Sequence, residues 1–327
     1  MPKVAFDDID ARLLSILQSE FPLVRHPFDA IADALGIATS EVIQRVLRLK
    51  RESVIRQISA IFDSAALGYL SALVAFQVET DMLDSVAERI SEHEGVSHCY
   101  SRDSNYNLWF TLTVPPDGDL YAEIAAFANL DGVKSSLILP ALKIYKIGVF
   151  LDVSDEILNR DTNYYRGESL TQSLTESDRA AVRVLQKDLP IVESPFAELV
   201  RESDLSEPDL LAYAKHFLDL KIMRRYAAVL RHQRAGYRAN AMVCWQVEDE
   251  RIDEVGAIFA SNSHVSHCYN RPEFPDWPYC IYTMVHCRDE SELNRVISDL
   301  SACAKLNSFR VLRSVKEYKK SRVTYFS

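Results

Sequence analysis

The sequence predicts an α+β protein made of two tandem repeats. Each repeat is a helix-turn-helix domain followed by a βαββαβ ferredoxin-like domain, and the two repeats form a pseudo-dimer within one chain. Three observations lead there. The pentapeptide VSHCY occurs twice, at Val96–Tyr100 and Val265–Tyr269. Other matching pieces keep an offset of 168 or 169 residues: Leu17-Gln18 with Leu185-Gln186, Pro27-Phe28 with Pro195-Phe196, and Gly68-Tyr69 with Gly236-Tyr237. A constant offset over that distance marks a duplication. Within each copy the apolar period is helical first, then alternates between strand and helix.

The elements follow in order. Asp7 or Asp8 caps a helix carrying Leu13, Leu14 and Leu17 on one face. A second short helix runs from Phe28 to Leu35 and stops at Gly36, and Thr39 or Ser40 caps a third with Val42, Val46 and Leu49 inward. Three short helices with a glycine in the second turn form a helix-turn-helix. Val54–Phe62 is extended. Strands at Ser71–Val78, Val96–Arg102 and Leu108–Val114 alternate with helices at Met82–His93 and Leu120–Leu130. A last strand spans Val133–Val149, with a break expected near Pro140. The second copy repeats this, ending in a strand at Phe309–Lys319. The expected units are therefore residues 1–53 (helix-turn-helix) and 54–151 (ferredoxin-like), a polar linker at 152–175, then 176–221 (helix-turn-helix) and 222–327 (ferredoxin-like).

Composition narrows the function classes. A formal net charge of -10 weighs against nucleic acid as the main partner. No apolar run reaches membrane-spanning length, and the N-terminus has no apolar signal core, so a cytoplasmic protein without membrane contact is expected. Six cysteines form no CxxC pair, as in reduced cytosolic chains. Walker, GxGxxG and Ser/His/Asp signatures are missing.

Against this acidic background, Ile222–Arg238 holds Arg224, Arg225, Arg231, Arg234 and Arg238 with His232 and no acid. Strand alternation puts Arg225, Ala227, Val229 and Arg231 on one face and Tyr226, Ala228, Leu230 and His232 on the other. Small residues ringed by cations suit a flat, apolar body with carboxylates at its rim, because the guanidinium fork binds carboxylates bidentately. A solvated basic edge strand is the other reading. In the repeated strand, Val265, His267, Tyr269 and Arg271 share a face, and His98, Tyr100 and Arg102 form the same triplet in the first copy. A metal site at His264, His267 and Cys268 is disfavoured, since strand alternation sends the two histidines to opposite faces. Pro272–Tyr279 is a stiff loop whose Phe274, Trp277 and Tyr279 could stack on a flat ligand.

Helix-turn-helix, hinge strand and βαββαβ together resemble the Lrp/AsnC architecture. The stretches RRYAAVLRHQRAGYRANAM, VSHCYNRP and WPYCIYTMVH are similar to an enzymatic branch of it, the sirohaem decarboxylases, over nearly the whole chain. The resemblance implies a fused form of two homologous subunits, linked to haem d1 or alternative haem biosynthesis. It implies non-oxidative loss of two acetate carboxyls from sirohaem, an iron tetrapyrrole, giving didecarboxysirohaem and carbon dioxide. No cofactor is expected, because the macrocycle is itself the electron sink.

On this reading His267, His232 and Tyr269 are catalytic. Arg224, Arg225, Tyr226, Arg231, Arg234, Arg271, Trp277 and Tyr279 bind substrate, while Arg238 and Asn240 are weaker candidates. His98, Tyr100 and Arg102 support from the first copy, which carries Asp63 and Ser64 where the second has Arg231 and His232. The second copy is thus the expected active half, with a histidine of near-neutral pKa as proton donor. A homodimer of the whole chain is a further expectation. Two other classes stay open: an Lrp/AsnC-type ligand-sensing transcription regulator and a non-catalytic tetrapyrrole-binding protein. The helix of the second copy that would read DNA starts with Glu207-Pro208-Asp209, acids that repel phosphate.

Overall fold

The computed structural model describes residues 6–19, 21–148, 174–231 and 236–327. His232, Arg234 and residues 152–173 of the expected linker lie outside them. The first copy comprises α1 (Asp8–Ser19), α2 (Pro27–Leu35), α3 (Thr39–Arg51), β1 (Ile55–Phe62), β2 (Leu70–Val78), α4 (Leu83–Ser91), β3 (Val96–Arg102), β4 (Leu108–Val114), α5 (Leu120–Ala128), β5 (Val133–Pro140) and β6 (Lys143–Ile147). The second comprises α6 (Glu176–Leu185), α7 (Pro195–Leu199), α8 (Glu207–Asp219), β7 (Met223–Leu230), β8 (Ala239–Trp245), α9 (Ile252–Ser261), β9 (Val265–Asn270), β10 (Ile281–Cys287), α10 (Glu290–Ala304), β11 (Phe309–Leu312) and β12 (Ser314–Lys320). No helix among the described residues is long and apolar enough to cross a membrane.

Local signals set the helices. Asp7 caps α1 by accepting from the Asp10 amide at 2.7 Å. Proline opens α2, and Gly36, at φ 72°, closes it. Thr175 and Asp178 form a capping box at the start of α6. The helices of both copies pack round an antiparallel ribbon of β1 and β7 in one shared core, which includes Leu13, Phe28, Leu185, Phe196 and Phe217.

The two large sheets are antiparallel, ordered β11-β8-β10-β9-β6 and β12-β3-β4-β2-β5. Each therefore borrows its edge strand from the other copy. The break expected near Pro140 divides β5 from β6, and Phe309–Lys319, expected as one strand, is likewise divided into β11 and β12. The chain pairs β5 with β2 up to Pro140, then crosses so that β6 pairs with β9. Proline offers no amide to continue the first ladder, which ends there. In the second copy β11 pairs with β8, and beyond Arg313 the chain crosses so that β12 pairs with β3. The Arg313 amide, bonded to Asp103 of the first copy at 2.7 Å, marks that crossing. The copies are thus interlocked by exchanged strands, and their sheets meet over a core including Trp109, Leu139, Met242, Trp277 and Tyr282.

Packing moves two expected ligand-binding aromatics away from any ligand. Tyr226 lies in the helical core, with its ring 5.3 Å from Phe21 and 5.5 Å from Phe196. Trp277 packs on Tyr106 and Trp109 between the sheets, donating from Nε1 to the Tyr282 hydroxyl at 2.8 Å. Tyr279 stacks on Trp277 at 5.0 Å rather than facing an open surface. The alternation was sound, but the helical layer covers the Tyr226 face of β7.

The Tyr226 hydroxyl is buried without a hydrogen-bond partner among the described residues. Tyr226→Phe removes a hydroxyl that costs about 1–3 kcal/mol to bury unpaired. Thermal unfolding of this variant should hold or rise, and tetrapyrrole affinity should not change. Weakened binding would put Tyr226 back in the site.

Candidate active site

Between the two sheets and the β1–β7 ribbon lies one cavity of 1820 Å³. Small-molecule pockets span about 300–1,000 Å³, so this space suits a larger ligand. Both repeated triplets line it: His98, Tyr100 and Arg102 from β3, and His267, Tyr269 and Arg271 from the β9 region. The triplets are built alike. His267 stacks on Tyr269 at 6.0 Å, and the Arg271 guanidinium lies 4.7 Å from the Tyr269 ring centre. In the first copy the spacings are 6.3 Å and 5.7 Å.

A bulge precedes each histidine. Ladder register slips between Val96 and His98, and likewise opposite Ser266. Alternation fails there, so Val265 joins Cys268 in the helix-side core instead of sharing the His267 face. The bulged serine meets its histidine: Ser266 Oγ is 2.9 Å from His267 Nδ1, and Ser97 Oγ is 2.9 Å from His98 Nδ1. Ser266 also donates to the Met284 carbonyl at 3.2 Å, so its oxygen accepts from Nδ1–H. That tautomer leaves Nε2 of His267 to take and give a proton.

Arg102 and Arg271 do a second job. Arg102 donates to the carbonyl of Leu312 and Arg271 to that of Leu139, each on the strand just before a chain crossing. Both arginines therefore hold the strand that leads into a crossing as well as flanking the tyrosines.

The remaining cations come from both copies. Arg224 is held by Asp63 at 3.0 Å, and Arg225 lies against Gly148. Arg56, Lys320 and Arg322 also line the cavity, together with Asn240. Arg231 is exposed just beyond β7, close enough for its charge to depress Lys320. Arg238 is exposed.

Residue-profile matches accord with this architecture. The profile of the AsnC-like ligand binding domain matches residues 66–146 and 234–319, and that of the siroheme decarboxylase NirDL-like HTH domain matches 10–56 and 178–224. A siroheme decarboxylase of Hydrogenobacter thermophilus is 37% identical over 319 residues, covering 97% of this chain and 94% of that protein. The chain belongs to the sirohaem decarboxylase family. Fused and separate members both align with it: a NirDL subunit of Paracoccus denitrificans is 28% identical across 98% of each chain. A beta subunit of Oleidesulfovibrio alaskensis is 41% identical to 48% of this chain over all of its own length. A crystal structure of the siroheme decarboxylase NirDL with an iron-uroporphyrin III analogue superposes with a TM-score of 0.75, at 32% identity, covering 98% of this chain and 95% of that one.

Within this family member the proposed catalytic groups sit in an unusual field. Burial, then the Lys320 and Arg56 charges, pushes His98 down to about 4. Burial, then His98 and the arginines Arg224, Arg225 and Arg271, pushes His267 down to about 3. The expected histidine of near-neutral pKa is thus not found: burial first, and the surrounding cations second, favour the uncharged imidazole at both positions. Burial raises the Tyr269 hydroxyl above its ordinary value, so it stays a donor.

The suspected metal trio also separates. His267 faces the cavity, Cys268 is in the core, and His264 sits outside beside Cys287 at 3.8 Å. Lys320 and Arg322 escaped the expected site because they belong to the second copy by sequence and face the first by strand exchange. Their signal was the basic run Lys319–Arg322.

A histidine whose folded pKa is depressed destabilises the fold in acid. The unfolded chain takes protons below the ordinary value of 6.5, and the fold resists until about 3–4. Stability should therefore fall as pH drops from about 6.5 towards 4, and the double variant His98→Gln/His267→Gln should flatten that limb in thermal unfolding. Equal slopes for both proteins would contradict the assigned shifts.

Proposed function

We propose that this protein removes two acetate carboxyl groups from sirohaem, giving didecarboxysirohaem and two molecules of carbon dioxide. The observation that carries the proposal is a single cavity in which two Ser-His-Tyr sets are ringed by arginine and lysine. Such a ring matches a macrocycle with carboxylates on its rim. Family membership and the named analogue complex of its relative support the same ligand.

At each reacting acetate the bond between the methylene and the carboxylate carbon breaks and carbon dioxide leaves. The electron pair passes to the conjugated ring, and one proton completes the methyl group. His267 is the proposed donor, through Nε2, with Tyr269 beside it; His98 and Tyr100 face the same cavity from the first copy. Arg224 and Arg225 orient carboxylates that remain. An arginine gripping the departing carboxylate would favour the ground state and oppose the step.

The cationic field couples binding to protonation. Burial, and after it the arginines, favour a neutral His267. Carboxylates neutralise those arginines and bring negative charge beside the imidazole, which favours the imidazolium. Substrate thus arms its own acid. Calorimetry in buffers of different ionisation enthalpy should show net proton uptake on binding iron uroporphyrin, reduced in His267→Gln. Binding without proton exchange would remove this coupling.

The surface of the helical layer supports an enzyme over a DNA-binding regulator. In α3, Arg45 bonds Asp7, Asp10 and Glu41, and Arg48 bonds Asp10. In α8 the first turn is acidic, with Glu207 paired to Arg25 at 3.3 Å. Phosphate binding would have to displace those partners.

Purified protein incubated with sirohaem without oxygen should yield a product lighter by two carbon dioxide units. His267→Ala should slow this by about 10²–10⁴-fold, the usual contribution of a general acid. Unchanged sirohaem that stays bound would indicate a carrier. Full loss in His98→Ala with little loss in His267→Ala would move the chemistry to the first copy.

A further inference from the structure

Arg56, Arg225, Lys320 and Arg322 line the same cavity as His98 and His267. Arg322 lies close enough to Arg56 and Arg225 to feel both charges. It arrives there only through the strand exchange. Beyond β12 the Ser321 amide bonds the Ser97 carbonyl at 2.7 Å, which fixes the chain beside His98. Tyr325 then fastens the segment on the other side of Arg322. Its hydroxyl lies 2.7 Å from Ser64 Oγ, its amide bonds Gln186 Oε1 at 2.8 Å, and its ring packs 5.0 Å from Tyr69. Arg322 is held from both ends.

Its hydrogen bonds go to neutral oxygens: Ser59 Oγ at 2.6 Å and the Ala60 carbonyl at 3.4 Å, both through Nη1. Arg56 likewise donates to a carbonyl, that of Lys320, at 2.8 Å. The acid whose charge reaches Arg322 is Asp188, and that carboxylate already bonds Lys50 Nζ at 2.6 Å and the Ile58 amide at 2.9 Å. Arg56 and Arg322 are half-buried beside one another, with no carboxylate in their hydrogen bonds among the described residues; like charges so placed repel each other and favour an anion.

We infer that Arg322, with Arg56 and Lys320, forms a carboxylate-binding subsite on the wall of the cavity, delivered by the exchanged end of the second copy. Its occupant, on the function proposed above, is a rim carboxylate that stays on the macrocycle. Gripping it sets the in-plane position of the ring relative to both histidines, so Arg322 is a positioning residue. The subsite selects for the number of carboxylates as well as for the ring.

Binding of two porphyrins, followed by their absorption bands, tests this. Iron uroporphyrin carries eight carboxylates and iron coproporphyrin four. Arg322→Ala should weaken iron uroporphyrin about tenfold to a hundredfold, as expected for losing hydrogen bonds to a charged partner, and should weaken iron coproporphyrin less. Arg322→Lys should recover part of the loss. Should the alanine variant not fold, Arg322→Met, which keeps the apolar stem, takes its place. Wild-type-like affinity for iron uroporphyrin, or an equal loss for both porphyrins, would overturn the subsite while leaving the enzymatic proposal intact. Failure of the unaltered protein to bind either porphyrin would overturn both.

Discussion

Everything at the cavity depends on the exchange of edge strands between the copies. β6 completes the sheet that carries His267, and β12 completes the sheet that carries His98. Backbone ladders enforce this, and ladders tolerate little slippage when one sheet face is buried. The exchange brings Gly148 under Arg225 and sets Lys320 and Arg322 beside Arg56. Without it each copy would present half a site.

The crossing points are reinforced by the same triplets that line the cavity. Arg271 grips Leu139 and Arg102 grips Leu312, and each guanidinium also lies over a tyrosine of its own strand. Scaffold and site therefore share atoms. A change at either arginine disturbs the strand crossing and the tyrosine together, so its effect on activity cannot be assigned to substrate contact alone. The paired serines are cleaner. They lie in bulges, outside regular alternation, and each meets the imidazole beside it; Ser266, which donates to Met284, sets the tautomer of His267.

The charge pattern ties binding to chemistry. Burial and a crowd of cations together favour neutral histidines, and a polyanion opposes the cationic part of that effect. A substrate rich in carboxylates thus supplies the condition under which a buried imidazole becomes an acid. The helical layer shows the opposite arrangement, with arginines of α3 closed onto acids of α1. Cationic side chains line the cavity, whereas Arg45 and Arg48 are closed onto acids on the face that a DNA-binding relative would present.

Much of this was legible in the chain. The repeat, the Asp7 cap, the break at Pro140 and the two His-Tyr-Arg triplets follow from spacing and alternation, because caps, proline and period act over a few residues. Thr39 and Ser40, expected to cap α3, instead lie inside it behind Ala38, and Thr39 bonds Asp29. Alternation also assigned Tyr226 to a face, but not what covers it; the helical layer does, and so excludes a ligand. Trp277 looked like a stacking platform, since an aromatic in a stiff loop reads the same buried or open. The depressed histidines, and the arrival of Arg322 from the far end of the chain, belong to tertiary structure alone. Coulomb fields and strand exchange depend on distances between residues far apart in the chain, and a linear pattern does not contain those distances.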